Sequence, residues 1–171
     1  MKELDFRNDV LPLKDKLFRL ALRITLSRED AEDIVQDTLL KVWNNRAEMD
    51  AVSNIEAYAM TMCRNQALDL CARKERTNIS PDEKAHDRTD TYSMPPDEKM
   101  AQDEGKTLIR QTIDSLPEKQ RTAMLMREIE GKTYKEIAQV MNITESDVKI
   151  NIFRARKSIK EHLAKISKYG L

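Results

Sequence analysis

The sequence predicts an all-α protein with two small helical domains, an N-terminal helical bundle and a C-terminal helix-turn-helix domain, joined by a flexible linker. Three observations support this prediction. Apolar residues recur at three-to-four spacing through most of the chain, which is typical of amphipathic helices. Only three glycines occur in 171 residues, so there is little scope for tight hairpins. The acidic stretch 78–105 contains Pro81, Pro95 and Pro96 and interrupts every periodic pattern.

The N-terminal domain is expected over residues 5–77 and contains three predicted helices, at about 12–26, 27–45 and 53–76. The first carries an apolar stripe of Leu13, Leu17, Leu20 and Ile24. Ser27 followed by Asp30 resembles a capping box at the start of the second helix, and Ser53 followed by Glu56 repeats this signal before the third.

The C-terminal domain is expected over residues 106–168, where periodicity returns at Leu108. The Leu116-Pro117 break precedes further helices at about 118–130, 134–141 and 145–167. The last two are joined by a brief turn at Asn142-Ile143, which predicts a helix-turn-helix. The shorter helix turns Ile137, Ala138 and Met141 inward, and the longer one buries a stripe of Val148, Ile152, Ala155, Ile159 and Leu163.

The longer helix exposes a face suited to DNA. Thr144 caps its start, and its outward face carries Ser146, Ile150, Phe153, Arg154 and Lys157, with Lys149 and Arg156 on the flank. Lysine and arginine can donate to phosphates or guanine edges, and outward apolar groups fit thymine methyls. A helical hairpin with a solvated basic face is the alternative, but it leaves the outward apolar residues unexplained.

The charge distribution agrees with a DNA-binding C-terminal end. The net charge is zero, but residues 106–171 carry 14 basic and 8 acidic side chains, whereas residues 78–105 carry 3 and 8. This asymmetry predicts an electropositive domain beside an acidic tether.

The N-terminal domain offers two candidate surfaces. The second helix buries Ala31, Val35, Leu39 and Val42 and turns Asp33, Asp37, Leu40 and Asn44 outward. The third helix ends in Arg73, Lys74 and Arg76, and carries Asn65 and Asp69 one turn apart. These two polar residues form either a mutually satisfied pair at the core boundary or part of a DNA-facing surface.

Several classes of protein are disfavoured. Two cysteines and two histidines are too few and too scattered for a zinc site, and Cys63 and Cys71 are expected to be small buried hydrophobes. No Gly-rich loop, metal cluster or nucleophile–base pair indicates an enzyme, so no catalytic residue, metal or cofactor is expected. Neither a signal peptide nor a membrane-spanning run is present, which predicts a cytoplasmic protein without membrane insertion.

Four segments together resemble the extracytoplasmic-function group of the sigma-70 family. Residues 30–37 read DAEDIVQD and are followed by Leu39, Leu40 and Trp43, and residues 57–76 read AYAMTMCRNQALDLCARKER. Residues 116–121 read LPEKQR, and the run from Tyr134 to Leu163 is similar to the family's −35-binding helix-turn-helix. The order of these motifs around a variable linker makes the resemblance specific.

The resemblance implies a function and three sets of site residues. The family's initiation factors bind core RNA polymerase, through the beta-prime clamp and the beta flap, and recognise promoter −35 and −10 elements. The implied polymerase contacts are Asp33, Gln36, Asp37, Leu40 and Trp43. The implied −10 contacts are Arg64, Asn65, Arg73, Lys74 and Arg76, with Asn65 receiving a flipped base and Asp69 structural. The implied −35 contacts are Thr144, Ser146, Lys149, Ile150, Phe153, Arg154 and Lys157.

Two departures affect promoter preference. Ser146-Asp147 stands where the family often has Gly-Thr, and Asn151 stands where an arginine is frequent. An anti-sigma partner is expected from the family's habit. A two-module DNA-binding regulator and a scaffold or anti-sigma binder are the alternatives; the regulator would need a receiver or ligand pocket, for which residues 1–77 show neither strands nor a phosphoacceptor setting.

Overall fold

The computed structural model describes residues 4–48, 54–77 and 108–168. Within these ranges the chain is helical and contains no strand, which confirms the predicted fold class. The described residues form two compact units, one mostly from the N-terminal half of the chain and one mostly from the C-terminal half. The predicted linker, 78–105, lies outside the described residues.

The described part of the N-terminal unit consists of three helices preceded by two short helical turns. The turns are Phe6–Val10 and Leu11–Leu13, and the helices are α1 (Lys14–Thr25), α2 (Arg28–Asn44) and α3 (Ile55–Arg76). All four residues of the predicted α1 stripe are buried: Leu13, Leu17, Leu20 and Ile24. Burial of this stripe holds α1 against α2 and α3.

The starts of α2 and α3 differ in part from the prediction. The Ser27 hydroxyl accepts a hydrogen bond from the Asp30 amide at 3.3 Å, which is half of a capping box. Asp30 does not complete the box. The Ser27 amide donates to the Thr25 hydroxyl at 3.3 Å instead, and the Asp30 carboxylate pairs with Lys74 on α3. The prediction that Ser53 begins α3 is wrong. Asn54 caps this helix, its side chain accepting from the Ala57 amide at 3.0 Å, and Ser53 lies outside the described residues.

Helix α3 packs closely on α1 through a row of small residues. Ala59, Cys63 and Ala67 recur every four residues and are fully buried. The Cys63 thiol donates to the Leu17 carbonyl at 3.5 Å. Cys71, two helical turns further along α3, has its sulfur 3.7 Å from the Ile24 carbonyl. Residue numbers rise along both helices from the first contact to the second, so α3 runs parallel to α1. The expectation that both cysteines are buried is confirmed for Cys63, whereas Cys71 is only half-buried.

The described part of the C-terminal unit contains four helices. They are α4 (108–114), α5 (Glu118–Met124, continued by a wider helical turn over Leu125–Ile129), α6 (Tyr134–Met141) and α7 (Glu145–Lys168). The Arg121 guanidinium donates to the carbonyls of Asp114 and Leu116 at 3.0 and 2.9 Å. These carbonyls lie at the end of α4, where no further helical turn can satisfy them. Arg121 therefore fixes the α4–α5 corner.

Cys63 makes the stability of the N-terminal unit sensitive to alkaline pH. Burial raises the pKa of its thiol to about 12 from an ordinary value of 9.0, and a hydrogen bond with Thr38 lowers it only in part. Between these values the unfolded chain loses a proton that the folded chain keeps. The contribution of Cys63 to the free energy of unfolding is therefore complete below about pH 9. It is lost as the pH rises towards 12, by at most about 1.4 kcal/mol per pH unit.

Urea denaturation followed by the fluorescence of Trp43, the single tryptophan, measures this effect. We expect Cys63→Ala to flatten the fall in the free energy of unfolding above about pH 9. Cys71→Ala, the matched control, should keep the wild-type slope. Equal slopes for wild type and Cys63→Ala would contradict the prediction.

Candidate nucleic-acid and protein interfaces

Helix α7 presents the outward face that the sequence predicts. Its start is capped by the Thr144 hydroxyl, which accepts from the Asp147 amide at 3.0 Å. The opposite side is held in the core by Val148, Ile152 and Ala155, all buried, whereas Ile159 and Leu163 are only half-buried. Every predicted −35 contact is exposed: Thr144, Ser146, Lys149, Ile150, Phe153, Arg154 and Lys157.

The outward face of α7 combines apolar and cationic groups. Phe153 is 68% exposed and Ile150 is 45% exposed, an arrangement that a helix with no partner would not favour. Arg154 and Lys157 lie beside them, and no carboxylate within the described residues pairs with either cation. The surface therefore offers free donors for phosphates or base edges next to apolar groups that a base methyl or sugar could cover.

The flanking cations of α7 have partners within the C-terminal unit. The Arg156 side chain donates to the Glu128 carboxylate at 3.0 Å, which joins α7 to the turn that follows α5. The Lys149 ammonium lies 5.4 Å from the centre of the Tyr134 ring, and the Arg127 guanidinium lies 4.5 Å from the same ring. The Tyr134 ring thus makes cation–π contacts with two cations near the start of the outward face.

The short helix α6 has a cap that the sequence reasoning missed. The Glu136 amide donates to the Thr133 hydroxyl at 3.1 Å, and the Glu136 carboxylate accepts from the Thr133 hydroxyl and amide at 3.0 and 3.4 Å. This is a complete capping box. The Thr-x-x-Glu spacing, the signal already used at Ser27, could have revealed it. Ile137 and Met141 are buried and Ala138 is half-buried, as the inward face predicts.

Helix α2 exposes an acidic face with one prominent leucine. Asp33, Gln36 and Asp37 are exposed, and Leu40 is 59% exposed. Asp37 pairs with Lys41 at 3.0 Å across one helical turn, a solvent-exposed contact of small energy. An exposed leucine among carboxylates and an amide is a surface that a basic, partly apolar partner could cover.

Trp43, a predicted polymerase contact, makes structural contacts within the N-terminal unit. The indole is half-buried and meets the Phe6 ring edge-to-face, with centroids 5.3 Å apart and planes at 77°. The Arg46 guanidinium lies 4.3 Å from the indole centre. Trp43 therefore anchors the N-terminal turn to α2 and leaves only part of its surface to a partner.

The predicted −10 residues on helix α3 differ in exposure. Some are exposed to solvent, and others are buried or form an ion pair. Asn65, Arg73 and Arg76 are exposed, whereas Arg64 is largely buried and Lys74 pairs with Asp30. Asn65 and Asp69, both exposed, share no hydrogen bond, so they do not form a mutually satisfied pair. At the core boundary, the polar contact is made instead by Gln66 of α3, which donates a hydrogen bond to the Thr38 hydroxyl of α2 at 2.9 Å.

None of the helices in the described ranges combines the length and apolar character that a membrane crossing requires. Within the same ranges, no group of three or more histidine, cysteine or acidic side chains is placed to hold a metal ion.

Comparisons with known proteins give a consistent result. The Sigma-70 region 2 model matches residues 10–77, and the Sigma-70, region 4 model matches residues 106–159. The chain is 27% identical over 153 residues to the ECF RNA polymerase sigma factor SigE of Mycolicibacterium smegmatis, covering 90% of this chain and 59% of that protein. It is 29% identical over 163 residues to the RNA polymerase sigma-H factor of Pseudomonas aeruginosa, covering 90% and 83%.

Two solved structures share the fold. The sigma factor RpoE in complex with the anti-sigma factor NepR, from Bartonella quintana, superposes with a TM-score of 0.70 at 22% identity, covering 94% of this chain and 97% of that chain. CnrH in complex with the cytosolic domain of CnrY superposes with a TM-score of 0.61 at 20% identity, covering 91% and 85%.

The turn between α6 and α7 depends on a left-handed residue. Asn142 adopts φ 54°, a conformation that asparagine and glycine tolerate and β-branched residues do not. We expect Asn142→Val to destabilise the C-terminal unit by about 1–2 kcal/mol, and Asn142→Gly to preserve it. Hydrogen exchange of the α6 and α7 amides measures the difference. Equal protection in the two variants would contradict this account of the turn.

Proposed function

Since the chain belongs to the sigma-70 family of RNA polymerase sigma factors, in its extracytoplasmic-function group, we propose a specific division of work between its two units. It is a transcription initiation factor and not an enzyme. In the proposal, residues 5–77 dock on core polymerase and open the −10 element, residues 106–168 hold the −35 element, and the acidic linker 78–105 spans the polymerase between them. The observation that carries this proposal is the order of the two family matches on two separate helical units.

The −35 element is assigned to the outward face of α7. Arg154 and Lys157 supply donors without a carboxylate partner in the described residues, and Phe153 with Ile150 supplies apolar contact. Thr144 and Ser146 lie at the start of the helix, where exposed amides and hydroxyls suit phosphate oxygens. Asp147 is also exposed at this end, so it disfavours a phosphate passing directly over it.

The −10 element is assigned to the exposed side of α3. Asn65 has an amide with one acceptor and two donors and no competing hydrogen bond in the described residues, which suits the edge of an unstacked base. Arg73 and Arg76 extend the same helix with positive charge that no carboxylate in the described residues neutralises, although Arg76 donates to the Ala72 carbonyl at 3.5 Å. Arg64 would need to leave its buried position to join them.

The polymerase contact is assigned to α2, with the beta-prime clamp as the partner, and the C-terminal unit is assigned to the beta flap. Asp33, Gln36, Asp37 and Leu40 form the exposed contact face, and Trp43 borders it. An anti-sigma factor is a further proposed partner, because a sigma factor of the same fold was solved with one. All these partners place the protein in the cytoplasm.

Run-off transcription with purified core polymerase tests the proposed function. Core plus this protein should give promoter-dependent transcripts from genomic fragments, and Arg154→Ala should reduce them by weakening −35 binding. If no fragment yields a promoter-dependent transcript, the proposal fails. If Arg154→Ala leaves DNA affinity unchanged, the assignment of α7 to DNA fails and a scaffold role is favoured.

Asn65→Ala should impair promoter opening more than binding to duplex −35 DNA, because only the −10 strand reaches α3. Gln111→Ala, which removes an exposed amide from α4 outside the proposed contact surfaces, is the control and should have little effect. Opening is measured by permanganate reactivity of −10 thymines, and −35 binding by a duplex shift assay. Equal losses in the two assays for Asn65→Ala would count against base capture.

Asp37→Lys should weaken binding to core polymerase while the protein stays folded, because it reverses the charge at the centre of the α2 face. Asp15→Lys makes the same change on the exposed side of α1 and should bind as wild type does. Competition with another sigma factor for core polymerase reports the affinity. Identical competition by both variants would remove Asp37 from the interface.

A further inference from the structure

Two polar ties hold α2 against α3. The Asp30 carboxylate pairs with the Lys74 ammonium, and the Gln66 amide donates to the Thr38 hydroxyl at 2.9 Å. The partners are separated by eight residues along each helix, in opposite directions. Since eight helical residues rise about 12 Å, the two ties have equal spacing on both helices. They fix the register of an antiparallel pair at two points.

The Asp30–Lys74 pair is better sheltered than the Asp37–Lys41 pair on α2. The Asp30 side chain is 19% exposed and that of Lys74 is 37% exposed, whereas Asp37 and Lys41 are 51% and 50% exposed. The Ser27 amide donates to the Thr25 hydroxyl at 3.3 Å, which leaves the Asp30 carboxylate available for Lys74. A sheltered pair keeps its geometry better than an exposed pair in salt.

The three cations at the end of α3 are therefore not equivalent. Arg73 and Arg76 are exposed and meet no carboxylate in the described part of the chain. The Lys74 ammonium is occupied by Asp30, and the Lys74 carbonyl accepts from the Thr77 hydroxyl at 3.0 Å, which closes the helix end. The side chain of Lys74 is therefore held by α2, and its backbone carbonyl is held at the C-terminal end of α3.

We propose that Lys74 and Asp30 are positioning residues: their pair sets the DNA-facing end of α3 against the polymerase-facing helix α2, and phosphate contacts fall to Arg73 and Arg76. This inference rests on the proposed −10 role of α3. When polymerase holds α2, the register of the two helices decides where Asn65 and the arginines lie along the promoter. A shift of α3 by one turn would displace them by about 5 Å, more than a hydrogen bond tolerates.

The test uses holoenzyme and a promoter fragment over a series of salt concentrations. Removing one phosphate-binding cation should lower the slope of log affinity against log salt by about 1. We expect Arg73→Ala to lower the slope, and Lys74→Ala to reduce affinity and opening with the slope unchanged. Lys74→Arg, which can also pair with Asp30, should restore both.

A charge exchange separates positioning from direct binding of phosphate. Asp30→Lys and Lys74→Asp should each impair opening, and the double variant should open promoters better than either single variant, because the pair is restored with its signs reversed. The Asp30→Lys single variant carries the same unfavourable lysine at the start of α2, so it controls for that effect. Lys16→Ala breaks the α1–α3 pair with Glu56, 2.9 Å long and similarly exposed, and controls for a general loss of stability.

The outcomes are distinct. A lower salt slope for Lys74→Ala overturns the proposal, because the ammonium would then contact a phosphate. A double variant that opens promoters no better than the better single variant also overturns it, because restoring the pair would then not restore the position of α3. Wild-type holoenzyme that opens no promoter fails the proposed function instead. Trp43 fluorescence during denaturation still reports the exchange in that case, since recovery of stability in the double variant depends on the pair alone.

Discussion

The N-terminal unit depends on the close approach of α3 to α1. Ala59, Cys63 and Ala67 give α3 a side so shallow that the Cys63 thiol reaches the Leu17 carbonyl. A larger residue in this row would push α3 outward and strain the packing. Because one side of α3 is committed to this contact, Asn65 and the terminal arginines lie on the exposed side. The surface proposed to face the −10 base is thus a consequence of the packing surface.

The same principle applies to α7 with different chemistry. Val148, Ile152 and Ala155 are buried, which leaves Phe153 and Arg154 outside. The orientation of α7 in the free protein is set by the Thr144 cap, by the left-handed Asn142 and by the Arg156–Glu128 contact. A preorganised helix loses little conformational freedom on binding.

The sequence predicted helices and faces well because both depend on local periodicity. The bounds of α6, the burial of the α1 stripe and the exposure of Phe153 all follow from spacing along the chain. Contacts between helices could not be predicted in this way. Nothing in the spacing of Asp30 and Lys74 indicates that they meet, and Trp43 gives no sign of its contact with Phe6. The error at Ser53 arose because Asn54, an equally good cap, adjoins it.

The central claim is that this chain, bound to polymerase, unstacks a base of the −10 element. The most direct measurement is the fluorescence of 2-aminopurine placed at successive −10 positions of a promoter fragment, which rises when the base leaves the stack. The account predicts a rise with core polymerase and this protein together, and none with either alone. A promoter that is bound at −35 but shows no rise at any −10 position would contradict it.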